Sequence, residues 1–61
     1  MTANQENILN IMRDNPNVTI SEISDLINIS VRKVKENIKK LKQNEYIIRQ
    51  GGTRQGKWEV L

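Results

Sequence analysis

The 61-residue chain contains no cysteine and no histidine. Disulfide frameworks, zinc fingers and thiol or imidazole catalysis are therefore excluded. The missing disulfides fit a reducing compartment, and the expected location is the cytoplasm. Aromatic residues are limited to Tyr46 and Trp58. No apolar run approaches the roughly 20 residues of a membrane span, and no basic-then-apolar start suggests a signal peptide. A chain this short buries only about 60% of its unfolded surface. That allows one thin core and no cleft deep enough to enclose a substrate. The acids are scattered, and no nucleophile has a lysine partner at a suggestive spacing. Neither an enzyme nor a cofactor or metal site is expected.

What the chain does have is an uneven charge distribution. The net charge of +3 hides two opposed halves. Residues 1–30 carry one base, Arg13, against four acids: Glu6, Asp14, Glu22 and Asp25. Residues 31–61 carry nine bases against three acids: Glu36, Glu45 and Glu59. Such a split suits a face that meets a polyanion. A solvated lysine-rich helix gives the same composition, so charge alone does not decide.

Hydrophobic period sets the organisation. Ile8, Leu9, Ile11 and Met12 form one helical stripe, and Thr2 with Gln5 has capping-box spacing. Pro16 disfavours helical geometry at Asn15, so the first helix ends there and Val18 is extended. Thr19 and Glu22 make a second capping box. The second helix that follows carries Ile20, Ile23, Leu26 and Ile27 on one face and spans about two turns. In Asn28-Ile29-Ser30, Asn28 tolerates the left-handed conformation that stops a helix, and Ser30 can cap the next. Two helices joined so briefly cross steeply, as in a helix-turn-helix. Val34, Ile38 and Leu41 form the third helix's inner stripe, with Val31 on its flank.

After Glu45 the period changes from about 3.6 to 2. Tyr46-Ile47-Ile48-Arg49 and Trp58-Glu59-Val60-Leu61 read as strands, the second with Trp58 and Val60 on one face. The Gly-rich polar stretch between them can close a hairpin. A hairpin alone is marginal, so it must pack on the helices. The expected core is Val18, Ile20, Ile23, Leu26, Ile29, Val34, Ile38, Leu41, Ile48 and Trp58, with the stripe of the first helix. Those stripes are used internally and leave no heptad seam, which predicts a monomer or weak dimer.

Residues 18–41 resemble the helix-turn-helix of winged-helix transcriptional regulators, and residues 46–60 resemble their wing. The resemblance implies a small α+β domain over residues 1–61, with three helices and a two- to three-stranded β-hairpin wing. Its implied partner is double-stranded DNA. The closing Gly56-Lys57-Trp58-Glu59-Val60-Leu61 is similar to the tail of a narrower prokaryotic group. In that group such a domain ends transcriptional regulators of divergent-AAA or ATP-dependent helicase-like type, which implies a piece of a longer protein. Two positions depart from the general pattern. Asn28 and Glu45 stand where glycine is usual, and Asn28 and Asn44 are expected to fill those backbone roles.

In this fold's usual docking, the start of the third helix enters the major groove. That points to Ser30, Arg32, Lys33, Glu36 and Asn37, since Arg and Lys can bond guanine and Asn adenine. The structural alternative is a solvated face with i, i+4 links from Arg32 to Glu36 and from Glu36 to Lys40. Lys35, Lys39, Lys40 and Lys42 suit phosphates. An amphipathic basic helix can also lie on an anionic membrane, but this one's apolar stripe is needed to close the core. On the wing, Arg49, Thr53, Arg54, Gln55 and Lys57 are placed to reach a phosphate or a minor groove. The glycines lack P-loop spacing and read as turn chemistry. Trp58 reads as core rather than a base-stacking platform. The competing function is a protein-interaction or dimerisation module, because the fold does not fix the function.

Overall fold

The computed structural model describes residues 1–51 and 56–61. The chain forms α1 (Ala3–Asp14), α2 (Ile20–Ile27), α3 (Val31–Gln43), β1 (Ile47–Gln50) and β2 (Lys57–Val60). The strands make one antiparallel two-stranded sheet. This is the small α+β winged helix expected from the order of patterns.

Each helix start is closed by a side chain, as its sequence dictates. At α1 the Thr2 hydroxyl accepts from the Gln5 amide and Gln5 accepts from the Thr2 amide, both at 3.2 Å. At α2 Thr19 and Glu22 exchange the same pair at 3.0 and 3.1 Å. At α3 the Ser30 hydroxyl accepts from the Lys33 amide at 3.2 Å. Each bond satisfies an amide that has no partner within its helix.

The helix ends follow from left-handed residues. Asn28 sits at φ 57° and ψ 46° and turns the chain between α2 and α3. The Ile29 amide then donates to the Ser24 carbonyl at 3.2 Å, and the Ser24 hydroxyl donates back to the Ile29 carbonyl. At the end of α3 the expected left-handed residue, Asn44, has φ −91° instead. Glu45 takes that role at φ 62°. The Tyr46 amide bonds the Leu41 carbonyl at 3.0 Å and the Glu45 amide bonds that of Lys42 at 3.1 Å. This is a Schellman closure, and its geometry puts the left-handed residue one position after the cap.

The core contains Ile8, Leu9, Met12, Val18, Ile23, Val34, Ile38, Leu41, Ile47 and Trp58. Ile11, Ile20, Ile27, Ile29 and Val60 pack against it, partly buried. Two expected core residues are outside. Leu26 is 66% exposed, because Ile20, Ile23 and Ile27 already fill the narrow stripe of a two-turn helix. Ile48 is 40% exposed, while its neighbour Ile47 is buried. The register pairs Ile47 with Val60 and Arg49 with Trp58, which turns the odd-numbered residues of β1 inward. A one-residue shift of phase exchanges the two faces of a strand.

The hairpin is tied to the segment between α1 and α2 by one residue. The Trp58 amide donates to the Pro16 carbonyl at 2.8 Å, and its indole Nε1 donates to the Val18 carbonyl at 3.1 Å. The extended piece at Val18 thus stands where a third strand would, without becoming one.

The packing sets distinct stability costs for the two apolar stripes. Ile38→Ala should cost about 2–5 kcal/mol, whereas Leu26→Ala should stay within about 0.5 kcal/mol of the parent. At roughly 4–8 °C per kcal/mol, thermal melts separate them easily. Equal melting temperatures for the two variants would show that α2 is rotated from the orientation described. Glu45→Gly should instead stabilise by about 1 kcal/mol, since a left-handed L-residue costs about 1–2 kcal/mol and glycine gives back part of that as chain entropy. An unchanged or lower melting temperature would contradict the left-handed closure of α3.

Candidate nucleic-acid interface

The turn at Asn28 and the cap at Ser30 fix where α3 begins, and its buried stripe of Val34, Ile38 and Leu41 fixes which side faces out. Arg32, Lys33, Lys35, Glu36, Lys39 and Lys40 are all exposed. They form a mainly cationic surface along most of the helix, with no acid in its first turn.

Within that surface the expected residues divide. Arg32 Nε lies 3.6 Å from Glu36 Oε1, with both side chains well exposed. An exposed i, i+4 pair of this kind is worth about 0.3–0.5 kcal/mol, so it positions Arg32 without holding it back from a stronger partner. The Asn37 side chain is half-buried and donates from Nδ2 to the Lys33 carbonyl at 2.9 Å. That bond holds the side chain along its own helix and leaves one Nδ2 hydrogen and Oδ1 outside it. The Ser30 hydroxyl is engaged in the cap. Arg32 and Lys33 are therefore the best-placed donors at the start of α3.

The base of the wing is organised differently. Arg49 is exposed, yet its guanidinium lies 4.6 Å from the centroid of the Trp58 ring. Lys42 Nζ lies 5.3 Å from the same centroid. Contacts of this type contribute about 0.5–1 kcal/mol at exposed sites. Two cations thus converge on the rim of a buried indole. Both line a shallow depression of about 390 Å³ that also takes in Asn17, Val18, Thr19 and Ile20 at the start of α2. Lys57 is exposed at the start of β2. Thr53, Arg54 and Gln55, expected on the wing, lie outside the described residues.

Sequence reasoning missed two features. Ser24, to which the helix pattern gives no role, closes the helix-turn-helix turn through Ile29. Its spacing, five residues before Ile29 and four before the left-handed Asn28, is the signal that could have revealed it. The cation pair over Trp58 depends on strand register, which sequence patterns leave open. Among the described residues no group of three or more acidic, histidine or cysteine side chains could hold a metal ion. Among them, too, no helix is long and apolar enough to cross a membrane.

Compared with models of known protein families, residues 1–48 match that of winged helix-turn-helix DNA-binding domains. Searches of curated proteins and of solved structures returned no match. The matched span takes in all three helices and the first residues of β1, so the chain belongs to the winged helix-turn-helix DNA-binding family.

Proposed function

We propose that the chain binds double-stranded DNA as a module of a transcriptional regulator, with α3 in the major groove and the wing on the backbone or minor groove. The observation that carries this reading is the cationic outer face of α3, presented directly after a left-handed helix-turn-helix turn. In this arrangement Arg32 and Lys33 contact base edges, while Lys35, Lys39 and Lys40 neutralise phosphates. Glu36 tempers the charge of Arg32, and Asn37 contacts a base through the Nδ2 hydrogen and Oδ1 that its helix bond leaves over. Arg49, Lys57 and the residues Thr53, Arg54 and Gln55 supply the wing contacts.

The finer placement, as the C-terminal module of prokaryotic regulators of divergent-AAA or helicase-like type, is supported by the closing run from Gly56 to Leu61. In that run Trp58 and Val60 face the core. Such a module acts in the cytoplasm alongside other domains, which would supply the affinity that one small cationic domain lacks. By itself it should hold random duplex only weakly, with a Kd of roughly 10⁻⁴–10⁻⁶ M at physiological salt.

Alanine variants on α3 should fall into two classes. Arg32→Ala and Lys33→Ala should weaken a preferred site more than random DNA, by about 1–3 kcal/mol for each bidentate pairing with a base that the variant removes. Lys39→Ala and Lys40→Ala should weaken all duplexes alike and flatten the plot of log affinity against log salt by about 0.9 per phosphate released. Glu36→Gln should tighten binding to every duplex, because it removes the one acid on that face. Affinity titrations across a salt series measure all three effects. If duplex DNA at about 50 mM salt leaves the amide resonances of residues 30–40 unmoved, the reading is wrong.

A further inference from the structure

The hairpin's backbone has two unequal edges. Leu61 donates to the Tyr46 carbonyl at 2.9 Å, which makes 46 and 61 a hydrogen-bonded pair. Bonded and non-bonded pairs alternate along an antiparallel ladder. Ile47–Val60 and Arg49–Trp58 are therefore the non-bonded pairs, and their amides and carbonyls point outward. The Trp58 amide confirms this direction, since it leaves β1 and donates to Pro16. On the opposite edge the amides and carbonyls of Ile47 and Arg49 face away from β2. Among the described residues they have no backbone partner.

An open edge is usually blunted by a charged side chain standing over it. The one charge in β1 is Arg49, and it is drawn inward over Trp58. The outward residue at the centre of the edge is Ile48, 40% exposed. Tyr46 and Leu61, also exposed, lie on the same outer face by register. Gln50, Glu59 and Lys57 share that outer face, and Ile48, opposite Glu59, stands at the centre of a backbone edge that is unpaired among the described residues.

We propose that two copies of this chain associate by pairing β1 with β1 across a two-fold axis at Ile48, joining their hairpins into one four-stranded antiparallel sheet. A second copy is the occupant because it presents the same outward groups at the same spacing, and antiparallel pairing is self-complementary. The side chains select the register. With the axis at Ile48, each Ile47 faces the other copy's Arg49, both outward residues are used, and Ile48 meets its symmetry mate. An axis at Arg49 would set two guanidiniums directly opposite, which is unfavourable. An axis at Ile47 would require Glu45 to pair, but its left-handed backbone at φ 62° takes it out of the strand. The shared edge is short beside the roughly 1,200–2,000 Å² of a stable interface, so the dimer is weak and concentration-dependent. Two DNA-binding faces related by a two-fold axis would favour an inverted-repeat site. The association itself does not rest on DNA binding and is tested without DNA.

The chain has no cysteine, so a single introduced thiol reports the geometry. Side chains opposite each other in a non-bonded pair have Cβ atoms about 4.5–5.5 Å apart, close enough for a disulfide to form with slight adjustment. Ile48→Cys should oxidise to a covalent dimer at least about tenfold faster than Leu26→Cys, a thiol at a more exposed position on α2, because pairing raises its effective concentration. In the parent chain, amide exchange at Ile47 and Arg49 should slow as protein concentration rises, while exchange at Leu26 should not change. With Trp58 emission showing both variants folded, an Ile48→Cys chain that oxidises no faster than Leu26→Cys overturns the proposal. Exchange at residues 47 and 49 that is indifferent to concentration overturns it as well.

Discussion

The two bonds donated by Trp58, from its amide to Pro16 and from its indole to Val18, are what the hairpin's position depends on. An indole this deeply buried needs a partner for its N–H, because leaving a buried donor unpaired costs about 1–3 kcal/mol. The partner exists because Pro16 ends α1 and leaves the next residues extended, with carbonyls free of any helix. A lone proline therefore acts at a distance. It stops a helix, the stopped chain offers two acceptors, and those acceptors hold the tryptophan that anchors β2. A two-stranded hairpin is marginal by itself, so the placement of the wing relative to α3 is inherited from this tie.

With one thin core the remaining stability must come from local closure. Domains of this kind are stable by only about 5–15 kcal/mol, and each helix cap is worth roughly 1 kcal/mol of that. Two full capping boxes and the Ser30 cap are thus a substantial share of the whole. The turn between α2 and α3 adds orientation to stability. Asn28 sets the direction of the chain, and the reciprocal bonds of Ser24 and Ile29 keep the two helices from splaying. The cationic face of α3 points outward as a unit because that turn is closed on both sides.

The parts of the fold legible in the sequence are those governed by near neighbours. Capping boxes and the left-handed Asn28 lie within four residues of their partners, and helix stripes follow from a fixed period. The errors occur where the decision is made by distant residues. Ile47 and Ile48 are equally good strand formers, and only pairing with Trp58 and Val60 chooses between them. Leu26 fits the apolar stripe of α2, yet the core is too small to reach it. Asn44 has the better intrinsic tolerance for a left-handed backbone. Glu45 adopts it because the closure geometry of α3 fixes the position before propensity is consulted. The basic face of the candidate site was legible as composition and spacing. Which of its members are already engaged was not, because those engagements are made by side-chain geometry.

Those engagements change how the charge of the chain should be counted. Of the bases in its second half, Lys42 and Arg49 converge on Trp58, and Arg32 is linked to Glu36. Lys33, Lys35, Lys39 and Lys40 remain as exposed cations on α3, without an acid within ion-pair distance among the described residues. The two groups sit in different surroundings. A cation over an aromatic face is drawn to the base of the wing, whereas a lysine in water is available to displace counterions from a duplex. A few available lysines give weak, salt-sensitive binding to any sequence. In the function proposed above, discrimination falls to the short start of α3, where the left-handed Asn28 and the Ser30 cap set the course of the backbone. On the proposed reading, the capped start of α3 reads the duplex, and the long lysine side chains beyond it hold it.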